Sequence, residues 1–140
     1  MSGNRSQAET ACPCGSNLAY GDCCGRFVEG GGIPATAEQL MRSRYTAYVR
    51  GAARYLLETW HASSRPSRLD LDEPVRWLGL RVVGTRAGGP QDSQGQVTFV
   101  ARYRVGGAPA RRLEETSRFV RESGRWFYLG AVDPVPDGTG

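Results

Sequence analysis

The apolar positions of this chain follow a helical period in its first half and a strand period in its second. Thr36-Ala37-Glu38-Gln39 reads as a helix start: Thr36 is placed to cap, and Gln39, three residues on, to complete a capping box. Met41, Tyr45 and Tyr48 then recur at i, i+4 and i+7 beside Leu40, giving one apolar face, and Gly51 stops the run. A shorter helix is predicted over Ala52 to Trp60, with Tyr55, Leu56 and Trp60 on its face; Ser63 to Pro66 ends it, because a proline ring cannot continue a helix. Beyond Trp77 the pattern changes. Trp77 to Arg86 is rich in Val and Leu, and Val97, Phe99, Ala101, Tyr103 and Val105 alternate with Thr98, Arg102 and Arg104. Arg111 to Glu122 reads as a long polar strand, and Arg125 to Val132 as a last one. Glycines at 88–89, 106–107 and 124 supply the turns, so four strands form an antiparallel meander. Helices followed by a meander predict an α+β fold with the helices packed on one face of the sheet.

The segment before the first helix has no such pattern, but it holds every cysteine. Cys12, Cys14, Cys23 and Cys24 lie in a C-x-C-x8-C-C arrangement, and none occurs in the remaining 116 residues. Bridging within either close pair would strain disulfide geometry, which leaves crossed bridges, independent thiols or a metal site. A single Zn²⁺ fits best: two cysteine pairs joined by a Gly-containing loop converge from opposite sides of one tetrahedral ion. Iron is the chemical rival, since thiolate sites accept it too. Four protein ligands leave no open position, so the ion is expected to be structural rather than catalytic. A knuckle this short has no core of its own, so its fold should depend on the metal, while the larger domain is expected to stay folded without it. Glu29 to Pro34, with three consecutive glycines, reads as the joint between the two. The predicted organisation is a flexible N-terminus (1–10), a zinc knuckle (11–27), an α+β domain (28–133) and a flexible tail (134–140).

Cys12-Pro13-Cys14-Gly15-Ser16 through Cys23-Cys24-Gly25 resembles the SEC-C motif, the zinc element at the C-terminus of SecA that contacts the chaperone SecB. The loop Asn17-Leu18-Ala19-Tyr20-Gly21-Asp22 departs from that motif in lacking lysines and carrying an acid, so the resemblance transfers the metal set rather than the SecB contact. The chain as a whole resembles the YchJ family of bacterial proteins, which join a SEC-C motif to a nuclear-transport-factor-2-like, or cystatin-like, domain. The residues that carry this are Met41 to Tyr48, Glu58-Thr59-Trp60-His61, Trp77-Leu78-Gly79-Leu80, Glu115 to Phe119 and Gly124 to Tyr128. The resemblance implies a curved sheet wrapped around helices and a pocket. It implies no particular activity.

Composition narrows the remaining classes. Hydrophobic residues make up 39% and charged residues 23%, a globular balance, and no run reaches the length of a membrane span. The first ten residues have no apolar core, so a soluble cytoplasmic protein is expected. All 18 basic residues are arginine, scattered from Arg5 to Arg125, with Arg111-Arg112 the longest run. The net charge of +4 falls to +2 once four thiolates hold a zinc ion. This scatter argues against a nucleic-acid partner. A protein partner at the knuckle is the leading expectation, with a homodimer through the sheet as a further option.

Phosphate-loop, nucleophile-elbow and Ser-His-Asp signatures are all missing, so the reading leans away from an enzyme. The alternative is a small-ligand site, or an enzyme, using a pocket formed by Arg44, Tyr45, Tyr48, Trp60, His61, Glu114 and Glu115. Arg44 sits near the buried face of the first helix, where an interior guanidinium is normally paired. On the polar strand, alternation puts Glu115, Ser117 and Phe119 on one face and Glu114, Thr116 and Arg118 on the other. Solvated cross-strand ion pairs are the simpler expectation for these carboxylates; in a pocketed fold one of them would face inward and pair with Arg44. His61, the single histidine, would need a carboxylate or tyrosine such as Glu58, Glu114 or Tyr45 for catalysis; a helix-end structural role is simpler.

Overall fold

A computed structural model describes residues 10–71 and 74–132. The expected flexible ends, apart from residue 10, lie outside that range. A single 3₁₀ turn (Tyr20–Asp22) and the short helix α1 (Gly25–Val28) belong to the cysteine segment. They are followed by α2 (Ala37–Arg50), α3 (Ala53–Glu58) and strands β1 (Val75–Ala87), β2 (Gln94–Val105), β3 (Arg111–Glu122) and β4 (Arg125–Ala131). The strands form one antiparallel sheet in the order β1-β2-β3-β4, the expected meander. No helix among the described residues is long and apolar enough to cross a membrane.

Helix α2 starts where its sequence says it should. Thr36 Oγ1 accepts a hydrogen bond from Gln39 N at 3.1 Å, while Gln39 Oε1 reaches back to Ala35 N at 2.8 Å, one residue before the cap. It ends at Gly51, whose left-handed φ of 72° lets its N–H reach the carbonyls of Ala47 and Tyr48. Between these ends the helix is buried on more than one side. Met41 and Tyr45 pack toward the sheet, with the rings of Tyr45 and Trp77 edge-to-face at 5.7 Å. Ser43 shares a 2.7 Å hydrogen bond with Tyr55 of α3. The third side faces the cysteine segment.

That third side has a consequence for the domain organisation. The four cysteines and Tyr20 belong to the same core cluster as Leu40, Met41, Tyr45, Val97, Phe99 and Phe119. The knuckle therefore packs as part of the domain, although it is a separate stretch of sequence. Stripping the knuckle would uncover one side of α2.

The inner face of the sheet carries Trp77, Leu80 and Val82 of β1, Val97, Phe99 and Ala101 of β2, Ser117 and Phe119 of β3, and Trp126 and Tyr128 of β4. Bulges in β1 at Leu78 and Val83 and in β4 at Leu129, each an extra residue against the neighbouring strand, bend and twist the sheet locally. The chain after α3 pairs with β4: Tyr128 N donates to Thr59 O and His61 N donates to Tyr128 O, both at 2.8 Å.

Candidate metal centre and ligand cleft

Two sites flank α2. On the knuckle side, the sulfurs of Cys12, Cys14, Cys23 and Cys24 all lie within 4.8 Å of one another, and all four residues are buried. Cys14 Sγ and Cys23 Sγ are 3.6 Å apart and unbonded; the four thiols are free. Sulfurs placed about 2.3 Å from one tetrahedral ion lie about 3.8 Å from each other, so the donor set fits a single metal. Local turns bring the pairs together. Cys12 N donates to Leu18 O at 2.8 Å, closing the loop, and a Cβ on Gly25 would meet Tyr20 O at 2.8 Å, so only glycine lets α1 start there.

The surroundings suit a cluster of thiolates. Ser16 Oγ lies 3.1 Å from Cys23 Sγ, and Thr46 Oγ1 of α2 lies 3.7 Å from Cys12 Sγ. Arg42 Nη1 donates to Cys14 O at 2.8 Å and lies 3.9 Å from Cys14 Sγ, a cation set against the sulfurs. Hydrogen bonds from the neighbouring Cys12 and Cys24 thiols hold the Cys14 thiol well below its ordinary pKa. Hydrogen bonding to Cys12 and Cys14 pushes Cys24 far up, and burial raises Cys23. Arg42 and Thr46 escaped the sequence reading, since nothing local links positions about 30 residues apart.

Tyr20 ties the knuckle to the far end of α2. Its hydroxyl donates to Glu29 Oε2 at 2.9 Å, Arg50 Nη2 donates to the same oxygen at 2.9 Å, and the Arg50 guanidinium lies 4.3 Å from the Tyr20 ring centre. Burial raises the Tyr20 hydroxyl, so it stays a donor across the physiological range.

On the opposite side of α2, a cleft of about 290 Å³ opens between the helix and the sheet. Arg44, Tyr45, Tyr48 and Glu115 line it together with Trp77, Phe99 and Tyr128. Arg44 is 5% exposed. Its Nη1 donates to Leu56 O at 2.7 Å and Thr59 Oγ1 at 2.6 Å, and its guanidinium lies 4.5 Å from the Tyr128 ring centre and 5.1 Å from that of Trp60. No carboxylate among the described residues comes within 4.0 Å of it. Glu115, rather than Glu114, faces inward, but it accepts from Ser117 Oγ at 2.9 Å instead of pairing with Arg44. Burial lowers the Arg44 pKa to about 10, which leaves it a cation at neutral pH. Burial also raises Tyr45 and Tyr128 to about 12, so both stay neutral hydroxyls.

The other expected pocket residues lie elsewhere. Trp60 sits behind Arg44, its ring edge-to-face with Tyr128 at 5.1 Å, and its buried Nε1 has no hydrogen-bond partner among the described residues. Glu114 is on the outer face of the sheet, 3.6 Å from Arg112. His61 lies outside the cleft, with Nε2 2.9 Å from Glu122 Oε2 and Nδ1 2.7 Å from Ser63 Oγ. Neither Glu58, Glu114 nor Tyr45 is its partner. Tyr128 and Trp77 are the cleft residues that sequence reasoning assigned to the core or left out; their inward register on β4 and β1 was the available signal.

Comparison with known proteins agrees with both halves of this architecture. Residues 36–131 match the profile of the YchJ middle NTF2-like domain, and residues 10–26 match the SEC-C motif. A UPF0225 protein of Chromobacterium violaceum is 50% identical over 133 residues, spanning 92% of this chain and 97% of that protein. One from Streptomyces coelicolor is 51% identical over 117 residues, spanning 84% and 90%. The solution structure of a SEC-C motif containing protein from Rhodopseudomonas palustris superposes with a TM-score of 0.77 at 37% identity, covering 89% of this chain and 98% of that one. A crystal structure of a SEC-C motif containing protein from Psychrobacter arcticus gives 0.71 at 26% identity, covering 93% and 87%. With a matching cysteine knuckle, a matching domain and relatives aligned along nearly their whole length, the chain belongs to the YchJ family of UPF0225 proteins.

Proposed function

We propose that this protein binds a small organic anion in the cleft beside α2, and that the four thiolates hold one structural Zn²⁺ that keeps α2 in place. The observation that carries the reading is Arg44: a buried cation with no carboxylate within 4.0 Å, among the described residues, that lines an aromatic cleft. Burying an uncompensated charge costs several kcal/mol, so a fold that keeps one has a use for it. The cleft volume of about 290 Å³ stands at the small end of ordinary ligand sites, roughly 300–1,000 Å³. An anionic group on the ligand would face Arg44, and a hydroxyl or amine would face Glu115. Tetrahedral S₄ coordination favours zinc over harder cations, and a closed set of four ligands favours a structural role.

The test is a thermal-shift screen of the zinc-loaded protein against pools of small carboxylates and phosphates, beside pools of neutral compounds. A ligand that binds only the folded state raises the melting temperature. The reading expects a shift from an anionic pool that Arg44→Met abolishes. Silence from every pool would count against it. A protein contact at the knuckle is the second reading, favoured by Leu18, which stands half exposed on the metal-binding loop. A partner recovered with the intact protein and lost with Leu18→Asp would support it.

A further inference from the structure

The arginines that are scattered along the sequence are gathered in space by the strand register. Residues directly opposite one another share a face of the sheet. Arg76 stands opposite Arg104, and Arg102 opposite Arg112. Arg81 stands opposite Val100, which faces Glu114, while Arg86 and Arg118 flank Gln96. These rows all lie on the face turned away from the helices, because the alternate positions, such as Trp77, Tyr103, Phe99 and Phe119, point inward. Glu122 of β3 and Arg125 of β4, opposite one another, end the same face. Eight of the 18 arginines and two glutamates thus share this face, and the rest of the chain carries a formal charge of −2.

Such a face is costly in isolation. Like charges directly opposite on neighbouring strands destabilise a sheet. Among the described residues, Arg112–Glu114 at 3.6 Å is the one arginine–carboxylate pair on this face, and Glu122 is engaged by His61 at 2.9 Å. The centre of the face is the hydrogen-bonded pair Thr98–Thr116, with Oγ1 atoms 2.7 Å apart. At one end, Arg86, Arg118, Gln94 and Gln96 border a shallow hollow of about 260 Å³.

We infer that the outer face of the sheet binds the phosphate backbone of a nucleic acid. Planar guanidinium groups pair with phosphate through two parallel hydrogen bonds, and Thr and Gln side chains add neutral donors. The face from Gln96 to Arg104 runs about 27 Å along β2, long enough for about eight nucleotide steps at a 3.4 Å rise. A protein partner would be expected to meet an apolar or aromatic centre. Here the centre is the Thr98–Thr116 pair beside Val100, which is only 8% exposed; the exposed apolar residues are Leu78 and Val83, and every aromatic of β1 and β2 faces inward. A second copy docked face to face would oppose one set of eight arginines to another. The aromatic of β4 on this face, Phe127, is half-buried with its ring edge-to-face with His61 at 6.0 Å, and β1 to β3 present none, so recognition runs through the backbone and is independent of sequence.

The test uses the full-length, zinc-loaded protein and fluorescence anisotropy with a mixed-sequence 20-nucleotide single-stranded RNA and a DNA duplex of the same length. Binding to at least one is expected at 50 mM salt, weakening roughly a hundredfold by 200 mM if about five phosphates are contacted. Arg102→Glu with Arg118→Glu should reduce affinity at least 30-fold and flatten the salt dependence. Arg54→Glu with Arg68→Glu makes the same charge change off the face and should cost less than threefold. Arg102→Gln with Arg118→Gln, adding no new charge, guards against a folding defect and should still lose about tenfold. The inference is overturned if neither probe binds at 50 mM salt or if the off-face pair costs as much as the on-face pair. It is also overturned if poly-glutamate or anionic phosphatidylglycerol vesicles compete for the face as well as RNA does at equal charge.

Discussion

The knuckle and the cleft set polar groups against the same helix, α2, and differ in whether the group is closed off. At the knuckle, four sulfurs converge within 4.8 Å and are buried, a closed donor set that suits one metal ion. In the cleft, Arg44 is fixed through Nη1 to a backbone carbonyl and a threonine, with its charge compensated by no described carboxylate and open space beside it. A closed polar cluster reads as a staple; a fixed but uncompensated one beside a cavity reads as a place for something that comes and goes. The two should therefore respond differently to substitution.

The largest effect is expected at the knuckle. Cys24→Ala removes a metal ligand from the shared core, and the zinc-loaded domain should lose about 4 kcal/mol or more, lowering Tm by roughly 15 °C in a thermal melt. A small change confined to the first 27 residues would break the comparison by making the knuckle an independent appendage. Next comes Arg44→Met, which should weaken the cleft ligand about 50-fold by calorimetry, the worth of a charge-assisted hydrogen bond. Its stability should change little, because replacing a buried charge with a packed apolar side chain is often near neutral. Stability lost in step with affinity would make Arg44 a structural group.

Thr36→Ala acts on the helix both sites share. Losing the cap on Gln39 N should cost about 1 kcal/mol in denaturant melts and leave metal stoichiometry unchanged. The smallest expected effect is that of pH. Arg44 stays charged until about pH 10 and Tyr45 and Tyr128 stay neutral until about 12, so anion affinity should be flat from pH 6 to 9. It should fall as pH rises through about 10, since the anion needs the protonated guanidinium. A step within that range would break this part of the account.

Much of this was legible in the chain. The i, i+4, i+7 spacing of Met41, Tyr45 and Tyr48 and the alternation from Val97 to Val105 report local periodicity, and both elements lie where the periods put them. Cys12 to Cys24 were legible because metal ligands this close in sequence need little help from the rest of the fold. What was not legible depended on register. Glu114 and Glu115 are neighbours on opposite faces, and only the pairing of β3 with β2 decides which one meets the cleft. His61 meets Glu122 because the chain after α3 adds to β4, a contact 61 residues apart. The arginines share a face for the same reason, since Arg76 and Arg104 become neighbours only when β1 and β2 pair.

The most direct test of the account is hydrogen exchange along α2, from Ala37 to Arg50, in the protein with zinc bound and after chelation. If the knuckle is part of one core, removing the ion should lower protection across α2 and the facing residues of β2 together with the knuckle itself. If α2 and the sheet keep their protection while residues 10–28 exchange freely, the staple account is wrong, and the knuckle is a separate module whose partner must be sought elsewhere.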